Sequence, residues 1–181
     1  MKLEKVPVPR AALAEGPRWD AATGTLLWVD IPAGHVHRLD PAGDERETIE
    51  LGQPVGVAVP HASGGLMLAL RDGFARHADG RTELVARPSE PEGNRMNDGA
   101  CDRAGRFFAG TKAEDDTPGA GSLYRLAQDL TCDKVLDGVT ISNGVGWSPD
   151  ERLMYYVDTA TDRIDVHGTE LVIDGGQLAI M

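Results

Sequence analysis

The sequence predicts an all-β protein of the propeller class, on the basis of short apolar runs, frequent turn residues and an internal repeat. The chain of 181 residues contains 22 Gly and 11 Pro, and it lacks long segments with apolar residues at helical spacing. Four apolar runs of strand length are bounded by Gly, Asp or Pro, at residues 26–29, 66–70, 106–109 and 153–157. Runs of this length between turn residues are typical of β-strands.

The four runs recur every 40 to 47 residues, and each is followed by a second short strand. Those second strands are predicted at residues 35–40, 74–78, 122–126 and 163–166. An acidic turn precedes three of the runs, at residues 19–24, 101–105 and 147–151. This period is that of a propeller blade, and it favours a propeller over a β-sandwich. At about 45 residues per blade, the chain encodes about four blades.

The charge and the composition exclude several classes of function. Lys and Arg number 18 against 29 Asp and Glu, which gives a formal net charge of −11. This acidic balance argues against binding to nucleic acid or to an anionic membrane surface. No apolar window is long enough to span a membrane, and the first residues lack the pattern of a secretory signal. We therefore expect a cytoplasmic protein in which Cys101 and Cys132 are free thiols.

Three polar residues precede the acidic turns at similar distances. Glu15, Asn97 and Asn143 each lie five to seven residues upstream of a turn aspartate. Because equivalent positions in successive blades face the same axis, these side chains are expected to converge at the mouth of the central channel. A carboxylate with carboxamide oxygens suits a hard divalent cation. The alternative is structural, since Asn-Asp-Gly and Asn-Gly are common turn sequences.

Six sequence phrases occur in an order and spacing that resemble a known family. They are EGPRW (15–19), RMNDG (95–99), GRFFAGT (105–111), GSLY (121–124), ISNGVGWSPD (141–150) and YYVD (155–158). Together they resemble the regucalcin (senescence marker protein) and gluconolactonase family from about residue 10 to 166. The resemblance implies a six-bladed propeller that holds one divalent metal ion in its central channel and hydrolyses lactones.

The resemblance also implies roles for individual residues. Glu15 and Asn143 are similar to metal ligands of the family, and Ca²⁺ is the expected ion, with Zn²⁺, Mn²⁺ or Mg²⁺ as alternatives. Arg95, Asn97 and Glu114 are similar to residues that contact the substrate, a sugar lactone. The cation would polarise the lactone carbonyl, and a nearby carboxylate would take a proton from the attacking water.

The sequence departs from the family in one important respect. The family's general base is an aspartate in a Pro-Asp-Gly phrase that is also a metal ligand, and no such phrase occurs in these 181 residues. Asp174 is a weak substitute, and Asp158 is interpreted as structural. No catalytic residue is therefore assigned. We expect one incomplete propeller domain over residues 1–181, interrupted near 166–170 and ending in a divergent tail at 167–181.

Two functions other than lactone hydrolysis remain open at this point. One is calcium binding without turnover, and the other is an inactive fragment. His35 and His37 share a strand face that could bind Zn²⁺, but without a third ligand nearby a solvated face is favoured. Trp19, Trp28 and Trp147 recur beside strands and are predicted to belong to the blade core.

Overall fold

The computed structural model describes residues 8, 10–41, 45–166, 169–171, 173–174 and 177–178. Within these residues the chain forms 18 β-strands and one turn of 3₁₀ helix, Thr159–Thr161. The first sheet contains β1 (Ala14–Asp20), β2 (Thr25–Asp30), β3 (His35–Asp40) and β4 (Glu45–Glu50). The second contains β5 (Val55–Pro60), β6 (Leu66–Leu70), β7 (Gly73–Ala78) and β8 (Arg81–Ala86).

The second half of the chain repeats this arrangement. The third sheet contains β9 (Asn94–Cys101), β10 (Phe107–Ala113), β11 (Gly121–Leu126) and β12 (Cys132–Val139). The fourth contains β13 (Ser142–Trp147), β14 (Met154–Asp158), β15 (Arg163–Val166) and β16 (Thr169–Leu171). A two-stranded ribbon of β17 (Ile173–Asp174) and β18 (Gln177–Leu178) follows.

Each four-stranded sheet is an antiparallel meander whose strands pair in chain order, without a crossover. The first strands of successive sheets, β1, β5, β9 and β13, lie against one another in that order. Four-stranded meanders that pack in this way are the blades of a β-propeller. The predicted all-β fold with about four blades is therefore confirmed, and we number the blades one to four along the chain.

The predicted acidic turns are held by their aspartates. The Asp20 carboxylate accepts hydrogen bonds from the amide of Ala22 at 3.1 Å and from the hydroxyl of Thr23 at 2.7 Å. The Asp102 carboxylate accepts one from the amide of Arg106 at 2.9 Å. Aspartates favour turns because their side chains bond to the backbone a few residues away. These carboxylates therefore belong to the scaffold and not to a site.

The blades pack through alternate side chains of the same strands. In β6, Leu66, Leu68 and Leu70 pack against the first blade. Met67 and Ala69 point the other way and pack against the third blade. Successive side chains of a strand point to opposite faces of the sheet, so a blade between two neighbours is apolar on both. This explains why residues 66–70 form a continuous apolar run in the sequence.

Aromatic rings fill the layers between the later blades. Phe74 and Phe107 meet edge to face between the second and third blades, with their ring centroids 5.3 Å apart. Phe108 and Trp147 lie 5.5 Å apart between the third and fourth blades. The buried ring of Tyr156 belongs to the same layer. Aromatic pairs favour these tilted arrangements.

The tryptophans are only partly in the core, contrary to the prediction. Trp147 packs against the layer between the third and fourth blades. Trp19 is 55% exposed, so the prediction is wrong for this residue. Trp28 is half-buried and lines an apolar groove with Leu26 and Leu39, on the face of the first blade opposite to the second blade. It stacks there on His37, which lies in the neighbouring strand.

The prediction for the cysteines is confirmed. Cys101 and Cys132 are free thiols, and burial raises the pKa of the Cys101 thiol to about 11. In the part of the chain that the structure describes, no helix is long and apolar enough to cross a membrane.

Candidate functional site

A one-residue β-bulge interrupts the first strand of all four blades at the same position of the ladder. The bulges fall at Gly16 with Pro17, Gly56, Asn97 and Gly144. The residues just before them are Glu15, Val55, Met96 and Asn143. Bulges bend a strand and redirect its side chains, and they are frequent beside functional sites. Glu15 and Asn143 therefore occupy equivalent positions, whereas Asn97 occupies the bulge itself.

The bulges allow the inner strands to approach closely. A β-carbon on Gly56 would lie 2.7 Å from the carbonyl oxygens of Met96 and Asn97, so only glycine fits between β5 and β9 at this point. Gly144 has a φ of +52°, a conformation that glycine adopts without steric cost. The backbone around Asn97 is thereby held against its neighbour in the second blade.

Asn97 links two of the predicted groups. The Arg95 Nη1 donates a hydrogen bond to Asn97 Oδ1 at 2.8 Å. The Asn97 Nδ2 donates to Asn143 Oδ1 at 3.0 Å and to the carbonyl oxygen of Ser142 at 2.8 Å. The Asn97 side chain is buried. Two predicted substrate contacts and one predicted metal ligand thus form a single hydrogen-bonded chain across the third and fourth blades.

The Asn-Asp-Gly sequence at residues 97–99 does not form a turn. It lies inside β9, and its aspartate joins two blades. Asp98 Oδ2 accepts a hydrogen bond from the amide of Gly144 at 2.8 Å, and Oδ1 accepts one from the amide of Gly99 at 2.7 Å. Asn143 also lies within a strand. The structural alternative of ordinary turn residues therefore does not apply to Asn97 or Asn143.

Glu15 is exposed at the equivalent position of the first blade. From the same strand, Arg18 Nη2 reaches the carbonyl oxygen of Gly99 at 3.5 Å. This contact brings β1 within side-chain reach of β9. Glu15 accordingly shares the inner wall of the propeller with Asn97 and Asn143.

The oxygens at this wall are of a type that a hard cation binds. A carboxylate and amide oxygens are the usual ligands of Ca²⁺. Asn143 Oδ1 accepts a hydrogen bond from Asn97, and a carbonyl oxygen has a second lone pair for a metal. Among the described residues, no three His, Cys, Asp or Glu side chains form a group that could hold a metal ion. The donor set is therefore rich in amide oxygens and poor in carboxylates.

Glu114 lies in the loop between β10 and β11 and is paired with a residue that the sequence analysis did not identify. Its Oε1 forms an ion pair with Arg71 Nη2, from the second blade. Lys112 forms a second ion pair with Asp116 nearby. Burial lowers the pKa of the Arg95 guanidinium, Glu114 and Asp116 act in the opposite direction, and Arg71 lowers it further. These five charged groups therefore form one electrostatic neighbourhood.

Arg71 and Lys112 occupy a position that recurs in every blade. In the second strand of each blade, one residue pairs with the residue just before the bulge, and this position follows it directly. The four residues at this position are Asp30, Arg71, Lys112 and Asp158. Each lies within one residue of the end of the second strand, on the same side of the propeller as Glu15 and Asn143. The signal was present in the sequence as charged residues at the blade period, but the change of sign between blades concealed it.

Asp158 has the structural role that the sequence predicts. Its Oδ2 accepts a hydrogen bond from the amide of Thr140 at 2.8 Å, and its Oδ1 accepts one from the amide of Ile141 at 2.9 Å. The backbone of Asp174 lies in β17, and its side chain lies outside the described part of the structure. The rest of the tail at 167–181 is described only as the strands given above.

His37 does not lie on a solvated strand face, so that interpretation is wrong for this residue, whereas His35 is partly exposed. His37 is buried, its Nδ1 lies 3.0 Å from the hydroxyl of Thr48, and its ring stacks on Trp28 at 5.1 Å. Burial lowers the pKa of His37, and the neighbouring His35 lowers it further. His37 is therefore a packing residue of the first blade.

Comparison with known proteins identifies the family. Residues 13–178 match the model of the SMP-30/Gluconolactonase/LRE-like region. The chain belongs to this family. Bovine (Bos taurus) regucalcin is a relative at 35% identity over 179 residues, a match that covers 94% of this chain and 60% of regucalcin. The predicted membership is therefore confirmed.

Solved structures of the family confirm the predicted fold. The calcium-binding protein regucalcin of Agrobacterium tumefaciens superposes with a TM-score of 0.81 at 29% identity, over 92% of this chain and 56% of that protein. A luciferin-regenerating enzyme superposes with a TM-score of 0.80 at 28% identity, over 94% of this chain and 59% of that enzyme. The chain thus spans less than two thirds of the length of these relatives.

Proposed function

We propose that the mouth of the propeller hydrolyses sugar lactones with the help of one divalent cation. The family description includes gluconolactonase, and the site is polar and lies on bulged inner strands. The observation that supports the proposal most directly is the hydrogen-bonded chain from Arg95 through Asn97 to Asn143. It supports the proposal because Arg95 and Asn97, which would hold the substrate, are hydrogen-bonded to Asn143, which would hold the cation.

In this proposal Glu15 and Asn143 hold the cation, with Ca²⁺ as the first choice. When bound, the cation polarises the lactone carbonyl as a Lewis acid. Arg95 keeps its charge at neutral pH even with a lowered pKa, so it can donate hydrogen bonds to the ring oxygens and hydroxyls of the substrate. The contact with Arg95 and Asn143 fixes the orientation of the Asn97 amide before the substrate binds.

We expect the 181-residue chain alone to turn over slowly. The resemblance assigns the proton transfer to an aspartate in a Pro-Asp-Gly phrase that this sequence does not contain. Loss of a general base typically reduces the rate by about 10²–10⁴-fold. Calcium binding without turnover is the second candidate, since the Agrobacterium relative is described as a calcium-binding protein.

The test is hydrolysis of glucono-1,5-lactone in a pH-stat, corrected for spontaneous hydrolysis, with Ca²⁺ and with chelator. We expect chelator-sensitive turnover that falls by about 10²-fold in Asn97→Ala, the size of effect reported for lost polar catalytic contacts. Asn94→Ala is the matched control from the same strand, because Asn94 bonds to the carbonyl oxygen of Ala120 and not to Asn143.

The outcomes separate the two candidates. Calorimetric binding of Ca²⁺ that Asn143→Ala abolishes, without any turnover in the parent chain, would favour calcium binding alone. Turnover that chelator and Asn97→Ala both leave unchanged would reject the proposed site.

A further inference from the structure

Three cations meet at the mouth of a strongly acidic protein. Arg71, Arg95 and Lys112 come from the second and third blades, in a chain whose formal net charge is −11. Two carboxylates, Glu114 and Asp116, lie among them. Among these five side chains the cations outnumber the carboxylates, and the carboxylate of Asp115, in the same loop, accepts hydrogen bonds from the amide and the hydroxyl of Thr117 at 3.0 and 2.7 Å. Local concentration of charge of one sign attracts ligands of the opposite sign.

Two of the cations are placed by the architecture of the blades. Arg71 and Lys112 occupy the position that holds Asp30 in the first blade and Asp158 in the fourth. Those aspartates accept hydrogen bonds from backbone amides that precede the first strand of the same blade. The cations bind no backbone amide, since they have no acceptor, and they extend toward the neighbouring loop instead. Arg71 and Lys112 therefore do not hold backbone amides in place, as Asp30 and Asp158 do in the first and fourth blades.

Both carboxylates are about half exposed. The Lys112 side chain is 13% exposed and its partner Asp116 is 58% exposed, whereas Arg71 and its partner Glu114 are 43% and 48% exposed. Glu114 and Asp116 belong to the β10–β11 loop, and Asp116 has a positive φ of 59°. The pairing with these half-exposed carboxylates shows that Arg71 and Lys112 can bind a carboxylate group. A carboxylate of a ligand can replace Glu114 and Asp116 at little cost, because exposed ion pairs contribute little stability.

We propose that Arg71 and Lys112, beside Arg95, form a subsite for a carboxylate substituent of the substrate. The preferred lactones would then be those of sugar acids with a second carboxylate, such as an aldaric acid. The inference rests on the proposed lactone hydrolysis, and it adds the substrate class. Arg71 and Lys112 act on binding and selectivity, at the end of the substrate remote from the lactone carbonyl.

Equilibrium binding of hydrolysis products tests the subsite without any need for turnover. Gluconate, glucarate and 6-phosphogluconate differ only at the terminal carbon, which carries a hydroxyl, a carboxylate or a phosphate. We expect calorimetry in the presence of Ca²⁺ to show glucarate binding about tenfold more tightly than gluconate, as a charge-assisted contact would give. The preference should decrease in high salt.

Two substitutions and one control make the measurement specific. Arg71→Met and Lys112→Met should each reduce the glucarate-to-gluconate preference, toward a ratio of one. Arg76→Met is the control, because Arg76 bonds to Ser63 and Gly64 in the hairpin at the opposite end of the second blade. Circular dichroism of each variant confirms that it is folded.

Each result decides the matter. A preference for glucarate that both substitutions remove supports the subsite, even if no lactone is hydrolysed, in which case the proposed function alone fails. Equal binding of gluconate and glucarate by the parent chain overturns the subsite, even if gluconolactone is hydrolysed. Tighter binding of 6-phosphogluconate than of glucarate overturns the assignment of a carboxylate.

Discussion

One position of the blade ladder carries opposite charges in the two halves of the propeller wall. In the first and fourth blades it holds Asp30 and Asp158, whose carboxylates bind backbone amides of their own blade. In the second and third blades it holds Arg71, which pairs with Glu114 of the next blade, and Lys112, which pairs with Asp116 of its own blade. The comparison teaches that a repeated position can serve the scaffold in one blade and the mouth in the next.

The two pairs of blades differ in the groups that the side chain at this position binds. The amides of Thr140 and Ile141 precede β13 and lack a partner in a ladder, so a buried carboxylate is needed there. In the second blade the side chain at this position is a cation, which cannot accept a hydrogen bond from an amide. The amide of Arg71 itself donates to the carbonyl oxygen of Pro54 at 2.9 Å, and its side chain pairs with Glu114.

The largest effect is expected at Asp158. Asp158→Ala leaves the amides of Thr140 and Ile141 without an acceptor beneath the fourth blade, at a cost of about 3 kcal/mol in the free energy of unfolding. Urea denaturation followed by circular dichroism measures this cost. Asp129→Ala is the control, because Asp129 is exposed and accepts from Thr131 within a turn. Equal losses in the two variants would contradict the structural role of Asp158.

A smaller loss is expected at Asp30, about 1–2 kcal/mol for Asp30→Ala. Its carboxylate accepts from the amides of Ala12 at 2.9 Å and Leu13 at 3.1 Å. Both of these residues are exposed, so water can replace the lost acceptor in part. Hydrogen exchange should show faster exchange at Ala12 and Leu13 and unchanged exchange in β6. A loss as large as that of Asp158→Ala would mean that exposure of the amides does not matter.

The sequence was sufficient to predict the blades because their signals are local. A strand between two blades must be apolar on both faces, and the run at 66–70 shows this directly. The aspartate turns are equally local, since Asp20 and Asp102 bond to residues within a few positions. The strand predicted at 35–40 has the observed bounds, His35–Asp40.

The site was harder to predict, because it depends on how two strands pair. A bulge is a mismatch between β9 and β10, and the sequence of either strand alone does not reveal it. For that reason the sequence predicts equivalent positions for Asn97, Glu15 and Asn143, although Asn97 occupies the bulge and the other two precede it. The pairing of Arg71 with Glu114 joins two blades, and the burial of His37 depends on Thr48 in another strand. Such contacts are tertiary, so a local pattern does not show them.

A pH titration sharpens the comparison at the fourth blade. Burial raises the pKa of the Tyr156 hydroxyl, and the negative charge of Asp158 raises it further. The folded protein therefore holds the proton more tightly than the unfolded chain, whose tyrosine titrates near pH 10. Stability is constant below that pH and decreases above it, up to the folded pKa.

Asp158→Asn removes the charge and should lower the pKa of Tyr156, so the alkaline loss of stability attributable to this residue ends at a lower pH. Tyrosinate absorbance measured against pH tests this, with the parent chain as reference. An unchanged titration of Tyr156 in Asp158→Asn would show that the charge of Asp158 does not contribute to its pKa.

The smallest effects on stability are expected from the cations of the other two blades. Arg71→Met and Lys112→Met each remove an ion pair whose carboxylate is about half exposed, and such pairs contribute about 0–1 kcal/mol. Their midpoints in urea should therefore stay close to that of the parent chain, in contrast to Asp158→Ala. A loss of several kcal/mol in the free energy of unfolding on substitution of either cation would show that this cation stabilises the fold, as the aspartates do. The two pairs of blades would then differ only in the sign of the charge at this position. A change in ligand preference with unchanged stability would show instead that this position contributes to ligand binding in the second and third blades and does not contribute to folding there.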